Sequence, residues 1–108
     1  SMTSMFYGTE AFNQPIEKWD VSNVEYMSMM FQESKAFNQP IDKWDVSNVT
    51  NMEKMFNYSS AFNQPIGKWD VSNVTEMKKM FANADSFKQL LPDEWKKKAG
   101  YTYEELKK

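Results

Sequence analysis

The sequence has no cysteine, no histidine and no arginine among its 108 residues. Without cysteine and histidine it cannot form disulfides, Cys/His zinc sites, thiol nucleophiles or histidine-dependent triads. Without arginine it lacks the bidentate donor that reads phosphate or guanine, and a net charge of −2 supplies no field that would attract nucleic acid. We therefore expect no enzyme, no cofactor, no bound metal and no nucleic-acid partner.

Long apolar runs are also missing. No stretch approaches the ~18 consecutive residues that a membrane-spanning helix needs, and no secretion signal is visible. The length is that of one domain or part of one. We expect no membrane insertion by these residues.

A 25-residue repeat organises the chain. The stretch "AFNQPIEKWDVSNVEYMSMMF" begins at Ala11 and returns with small changes at Ala36 and Ala61. Of the 25 positions, 16 are identical in all three copies. Such a period is typical of solenoids, in which each unit buries its apolar face against its neighbours. The predicted organisation is a partial N-terminal repeat (1–11), three full repeats (12–86), and a decayed repeat with a C-terminal cap (87–108).

Each repeat contains two apolar patterns. Residues 24–31 place apolar side chains at i, i+3, i+6 and i+7, which predicts a short helix. The motif I-x-x-W-x-V at 16–21 predicts a short strand through "KWDV". Stacked strands are ~4.8 Å apart whereas helices need ~8–10 Å, so such a coil should curve. The predicted fold class is α/β: a curved repeat solenoid with one short parallel strand and one short helix per coil, and a helical C-terminal cap.

Residues that keep the 25-residue register are predicted to stack from coil to coil into one core. All eight phenylalanines do so, as do Trp19, Trp44 and Trp69. None of the five tyrosines keeps the register, so we expect the tyrosines within the repeats on the surface. Those within the repeats are Tyr7, Tyr26 and Tyr58.

The C-terminal residues 88–108 leave the pattern. Pro92, followed by two acidic residues, predicts the start of a helix, and Gly100 predicts its end. A terminal cap must shield the last coil from water. The apolar residues expected to do this are Leu90, Leu91 and Trp95.

The repeat also resembles a known family. I-x-x-W-x-V has the L-x-x-L-x-L spacing of leucine-rich repeats. The whole unit, "FNQPIxKWDVSNVTxMxxMF", resembles the repeat of the BspA-like leucine-rich-repeat surface proteins, known from bacterial surface proteins and mycoplasma lipoproteins. The resemblance covers about residues 2–91. It implies a leucine-rich-repeat-like solenoid, a cell-surface or extracellular location, and a non-enzymatic role in binding or adhesion.

Two repeated polar sets have structural and functional interpretations. Asp20, Asp45 and Asp70 would form a carboxylate ladder, and we favour capping of backbone groups over calcium binding because one aspartate per coil supplies few ligands. The repeated Trp, Asn and Gln could present a ladder to sugar rings. The shared register with phenylalanine instead favours tryptophan in the core.

Nine positions vary between the repeats: 17, 25, 26, 28, 29 and 32–35, with their equivalents. Because partners dock on exposed apolar and aromatic side chains, we predict that an extracellular protein partner binds at these positions. The candidate contact residues are Tyr26, Met29, Tyr58 and Tyr7. Two alternatives stay open, a carbohydrate-binding module using the Trp/Asn/Gln ladder and a spacer without a ligand.

Overall fold

The computed structural model describes residues 1–98, 106 and 107. Regular secondary structure within these residues is sparse: the helix α1 (Asp93–Lys98), a helical residue at Leu106, and isolated parallel bridges that join Tyr26 to Asn51 and Asn51 to Glu76. The repeats are therefore built mainly from turns.

Helix α1 begins directly after Pro92, where the sequence predicts a helix start. Its predicted end at Gly100 lies outside the described residues. No helix in the described part of the chain is long and apolar enough to cross a membrane.

Backbone hydrogen bonds join each repeat to the next. N–H groups of alternate residues donate to carbonyl oxygens 24 residues further on, as from Met2 to Tyr26 (3.0 Å) and from Phe6 to Met30 (2.9 Å). The pattern recurs at the later interfaces. The donors are Met2, Ser4, Phe6 and Gly8, then Met27, Met29, Phe31 and Glu33, then Met52, Lys54, Phe56 and Tyr58. Consecutive repeats thus lie directly on one another, with the donors of one facing the acceptors of the next.

We call each of these hydrogen-bonded stretches a turn series. They are residues 2–9, 27–34, 52–59 and 77–84. In residues 27–34, the N–H groups of Met30, Gln32 and Ser34 each donate to the carbonyl three residues earlier, at 3.0–3.2 Å. Met29 and Glu33 have positive φ angles, 56° and 57°, as the third residue of a type II turn does. The structure therefore has consecutive β-turns where the sequence predicts a helix.

The apolar stripe alone does not separate these two conformations. A chain of turns also returns a side chain to the inner face every three or four residues, and Met27, Met30 and Phe31 are fully buried. In a helix, the N–H of Phe31 would bond four residues back, to Met27. Here it donates to the carbonyl of Met55 in the next repeat, at 2.9 Å. Backbone N–H groups that would bond within a helix therefore donate to the next repeat instead.

The I-x-x-W segment is also a turn, whereas the sequence predicts a strand through "KWDV". The N–H of Trp44 donates to the carbonyl of Ile41 in the same repeat, at 3.2 Å, and Trp19 and Trp69 do the same with Ile16 and Ile66. The backbone N–H of each tryptophan is therefore already used and cannot enter a parallel ladder.

Two columns of phenylalanine rings form the centre of the core. Neighbouring rings in a column are 5.5–6.1 Å apart, and each ring pairs with one of the other column at 4.0–4.2 Å. The columns are Phe6, Phe31, Phe56 and Phe81, and Phe12, Phe37, Phe62 and Phe87. Stacking of in-register phenylalanines into one core is thus confirmed.

The tryptophans divide by their place in the stack. Trp44 and Trp69 are each 4 % exposed, and their indole N–H groups donate to the carbonyls of Ile16 and Ile41 in the preceding repeat. Trp19 is 41 % exposed, so its prediction as a core residue is wrong. No preceding repeat lies over it among the described residues.

The cap follows the prediction in part. Leu91 and Trp95 are buried, and the Trp95 ring stacks on that of Trp69 at 6.4 Å. Leu90 is 94 % exposed, so its prediction as a shielding residue is wrong. It occupies the position of the repeated proline, as at Pro65, and that proline is itself exposed.

Candidate functional site

The three tyrosines within the repeats are large side chains on the surface. Tyr7, Tyr26 and Tyr58 are 49 %, 48 % and 49 % exposed, as their lack of register predicts. Met29, the fourth candidate contact residue, is half-buried. All four lie in a turn series or directly before one, and they are spread over three successive turn series.

Backbone conformation sets two of these positions apart. Met29 and Tyr58 have φ angles of 56° and 60°, in the left-handed region. The position of Tyr58 is filled by Gly8 in the first repeat and by Asn83 in the last, which are residue types that tolerate this region. A bulky tyrosine there is costly, by about 1 kcal/mol. Glu33, at the equivalent position, has nearly the same φ angle, 57°, so the left-handed conformation belongs to the repeat and the large exposed ring is what distinguishes Tyr58.

Tyr7 is joined to the next repeat. Its hydroxyl donates to Oε2 of Glu33 at 3.0 Å, and this hydrogen bond, together with the negative charge of Glu33, raises the pKa of the Tyr7 phenol. The hydroxyls of Tyr26 and Tyr58 have no hydrogen-bond partner among the described residues. Those two hydroxyls are therefore available to an incoming molecule, whereas that of Tyr7 is engaged.

Not all variable positions lie on the surface. Ser28, Gln32 and Ser34, in the turn series of residues 27–34, are buried. The prediction that a partner contacts these three positions is therefore wrong in this turn series. The amide of Gln32 donates to Oδ1 of Asn57 at 2.7 Å, and the Asn57 amide donates to the carbonyl of Ala82 at 2.8 Å. Variation at these positions therefore changes contacts between repeats. The remaining variable positions, 17, 25, 26, 29, 33 and 35, are exposed or half-buried.

The repeated aspartates cap local backbone. Oδ1 of Asp20 accepts the N–H and hydroxyl of Ser22, and Asp45 accepts the same two groups of Ser47. These bonds lower the pKa of both carboxyl groups. In Asp45 the neighbouring aspartates oppose the shift. No three potential metal ligands of the Asp, Glu, His or Cys type converge within the described residues.

The repeated Asn and Gln side chains are also used between repeats. Oδ1 of Asn13 accepts the N–H of Asn38 at 2.9 Å, and the Gln39 amide donates to the Asn13 carbonyl at 3.0 Å. With Trp44 and Trp69 buried, a tryptophan ladder open to sugar rings is not formed. The repeated Asn13, Gln39, Trp44 and Trp69 side chains are thus used in contacts between repeats.

Comparison with known proteins gives one match. A family model described as "Mycoplasma protein of unknown function, DUF285" matches residues 1–99. No curated protein and no solved structure matched the chain. Because the matched residues include the whole repeat array and all of α1, the chain belongs to the DUF285 family of Mycoplasma proteins of unknown function.

Proposed function

We propose that this protein is a non-enzymatic interaction module of a bacterial surface protein, and that it binds a protein partner through exposed variable positions on a repeat scaffold. The observation that carries this proposal is the exposure of Tyr7, Tyr26 and Tyr58, each close to half exposed, at positions where the other repeats carry different residues. The scaffold is proposed to be a solenoid of 25-residue coils of the BspA-like type, located at the cell surface.

The chemistry of tyrosine favours a protein partner. Its ring offers a large apolar area at low conformational cost, and its hydroxyl can donate or accept a hydrogen bond. Such residues dominate the binding energy of many protein interfaces. The hydroxyls of Tyr26 and Tyr58 have no partner among the described residues, so we assign these two tyrosines the leading role. Met29, which lies between them in the sequence, adds an apolar contact.

The two alternatives rank lower. A carbohydrate-binding module would need aromatic faces open to sugar rings, and the repeated tryptophans expose only Trp19. A spacer without a ligand would have no use for large aromatic side chains on its surface, where Tyr26 and Tyr58 are 48 % and 49 % exposed.

The test uses substitutions that the chain already contains. Asn51 stands at the position equivalent to Tyr26, and Asn83 at that equivalent to Tyr58, so the double variant Tyr26→Asn/Tyr58→Asn keeps residues that this backbone accepts. The purified chain is applied to an array of extracellular and cell-surface proteins and, separately, to a glycan array. For a protein that binds, the double variant should weaken affinity at least tenfold per lost hot spot, about 1.4 kcal/mol each.

The control variant is Lys18→Ala/Lys43→Ala, which alters exposed residues at an invariant position. It should bind like the unaltered chain. Binding that survives loss of both tyrosines would refute the proposed surface. Binding only to glycans would favour the carbohydrate module, and a folded chain that binds neither array would favour the spacer.

A further inference from the structure

Positive charge is concentrated in two adjoining turn series. Residues 52–59 and 77–84 together contain three lysines and one acidic residue, a formal charge of +2, although the whole chain carries −2. The lysines are Lys54, Lys78 and Lys79, which we call the basic cluster. All three stand at positions that vary between the repeats, and the turn series 27–34 has no lysine at any of them.

The fold brings the three lysines together. The backbone N–H of Lys54 donates to the carbonyl of Lys78 at 3.0 Å, across the interface between two repeats, and Lys79 follows directly in the chain. Lys78 and Lys79 are exposed, and Lys54 is half-buried. No ammonium group of the cluster forms an ion pair or a hydrogen bond with a described residue.

Two carboxylates lie close in sequence to the basic cluster. Glu53 directly precedes Lys54, and Oε1 of Glu76 accepts the backbone N–H of Lys78 at 3.0 Å. Even with both counted, the ammonium groups outnumber the carboxylates. The cluster therefore presents an excess of positive charge to a molecule that approaches from solvent.

Tyr58 adds an aromatic side chain to the same two turn series. It follows Lys54 in residues 52–59, and its N–H donates to the carbonyl of Ala82, in residues 77–84, at 2.9 Å. Its ring is about half exposed, and its hydroxyl has no partner among the described residues. These two turn series thus combine excess positive charge with an apolar ring that carries a hydrogen-bonding group.

The charge pattern selects an acidic segment of a protein. Carboxylates of such a segment would pair with the lysines, and an apolar side chain beside them would pack on the Tyr58 ring. A long polyanion fits less well, because in the preceding repeat it would meet the carboxylates of Glu25 and Glu33. Three lysines without arginine also neutralise few phosphates of a nucleic acid, and membrane-binding clusters contain about 4–8 basic residues.

We propose that the basic cluster and Tyr58 bind an acidic segment of the protein partner, in which carboxylates flank an apolar residue. This inference rests on the proposed function and names the chemistry of the partner. Ion pairs at an exposed surface are individually weak, so the lysines set the specificity and the rate of association, and Tyr58 adds apolar contact. Salt should weaken such binding, since the Debye length falls to about 3 Å at 1 M ionic strength.

The probe is a phage-displayed library of random dodecapeptides, selected on the immobilised chain. Enriched peptides are synthesised, and their affinities are measured by fluorescence anisotropy at about 0.05 M and about 0.5 M sodium chloride. We expect the enriched peptides to carry several Asp or Glu residues beside an apolar residue, and to bind more weakly at the higher salt. Single-stranded poly-dT and phosphatidylglycerol vesicles are measured in the same way.

Two variants remove positive charge with residues that the repeats already carry at these positions. Lys54→Met/Lys78→Ser/Lys79→Met takes all three residues from the turn series 27–34. Lys78→Glu takes the residue at the equivalent position of the preceding repeat, so poor folding of the triple variant does not decide the outcome. Affinity for the acidic peptides should fall about tenfold or more in the triple variant, and it should also fall in Lys78→Glu.

The matched control, Lys18→Ala/Lys43→Ala/Lys68→Ala, removes the same charge from exposed residues at an invariant position. It should bind the acidic peptides like the unaltered chain. An equal loss in this control would show that net charge attracts the peptides, and it would overturn the assignment to the basic cluster. Stronger lysine-dependent binding of poly-dT or of the vesicles than of any peptide would also overturn it.

The selected peptides separate this inference from the proposed function. Neutral or basic peptides whose binding is lost in Tyr26→Asn/Tyr58→Asn would overturn the acidic segment and support the tyrosine surface. A library without any enriched peptide would likewise overturn the acidic segment, whereas the array of extracellular and cell-surface proteins tests the proposed function by itself.

Discussion

The indole N–H of Trp44 donates to the carbonyl oxygen of Ile16 at 3.1 Å, across the interface between two repeats. The two residues are 28 positions apart, and Trp69 repeats the relationship with Ile41 at 3.0 Å. Backbone N–H groups near these tryptophans bond within their own repeat, so the indole supplies a link between repeats that the backbone does not make there. The side chain therefore serves both as core volume and as a hydrogen-bond donor.

Replacing Trp44 with phenylalanine should cost about 2–3 kcal/mol of the free energy of unfolding. The change leaves the buried Ile16 carbonyl without its donor and leaves part of the indole volume empty. Urea unfolding followed by circular dichroism measures the loss. Trp19→Phe is the matched control, since Trp19 is 41 % exposed and its indole donates to no described residue. It should stay within about 0.5 kcal/mol of the unaltered chain, and equal losses in both variants would contradict the assignment.

Changing Lys54 to glycine should be neutral or stabilising, whereas changing Lys43 to glycine should be destabilising. Both changes raise the entropy of the unfolded chain by a similar amount, worth about 0.4–1 kcal/mol. Only Lys54 has a φ angle, 55°, at which an ordinary side chain is strained by about 1–2 kcal/mol. The difference between the two variants should therefore be about 1–2 kcal/mol. Denaturant unfolding of both proteins checks this, and identical values would mean that Lys54 is not held in the left-handed region.

The residues of the core could be predicted from the sequence, but the backbone conformation of the repeats could not. The 25-residue register identifies the phenylalanine columns because identical residues at identical positions must meet when repeats stack. The stripe of Met27, Met30 and Phe31 is the same in a helix and in a series of turns, so it predicts burial and leaves the conformation open. The telling signal was at the position of Glu33, where Gly8 and Asn83 stand in other repeats, because both residue types favour positive φ.

The candidate site was predictable to a similar degree. Loss of register correctly places Tyr26 and Tyr58 on the surface. Variation between repeats does not predict exposure of Gln32, because its amide pairs with Asn57 in the next repeat. The residues of such a pair can differ from repeat to repeat and still be buried. The 25-residue register wrongly predicts that Trp19 is buried like Trp44, because the register applies to residues that have a repeat on both sides. The exposure of a residue in the first repeat depends instead on which residues cover it.

The hydrogen bond between Tyr7 and Glu33 gives the surface a response to alkaline pH. The bond, followed by the negative charge of Glu33 and then by burial, raises the pKa of the Tyr7 phenol above its ordinary value of about 10. A group whose pKa is higher in the folded state stabilises that state at pH below its unfolded pKa. The contribution is lost as the pH rises through the folded pKa.

The variant Glu33→Gln should bring the pKa of Tyr7 back towards its ordinary value, because the amide keeps a hydrogen-bond acceptor but removes the charge that opposes phenolate. The phenolate absorbance of each protein is followed during an alkaline titration, and the same titration of Tyr7→Phe is subtracted to isolate this residue. Tyr7 should titrate at lower pH in the variant than in the unaltered chain. Equal titration in the two proteins would show that Tyr7 and Glu33 are not in contact in solution.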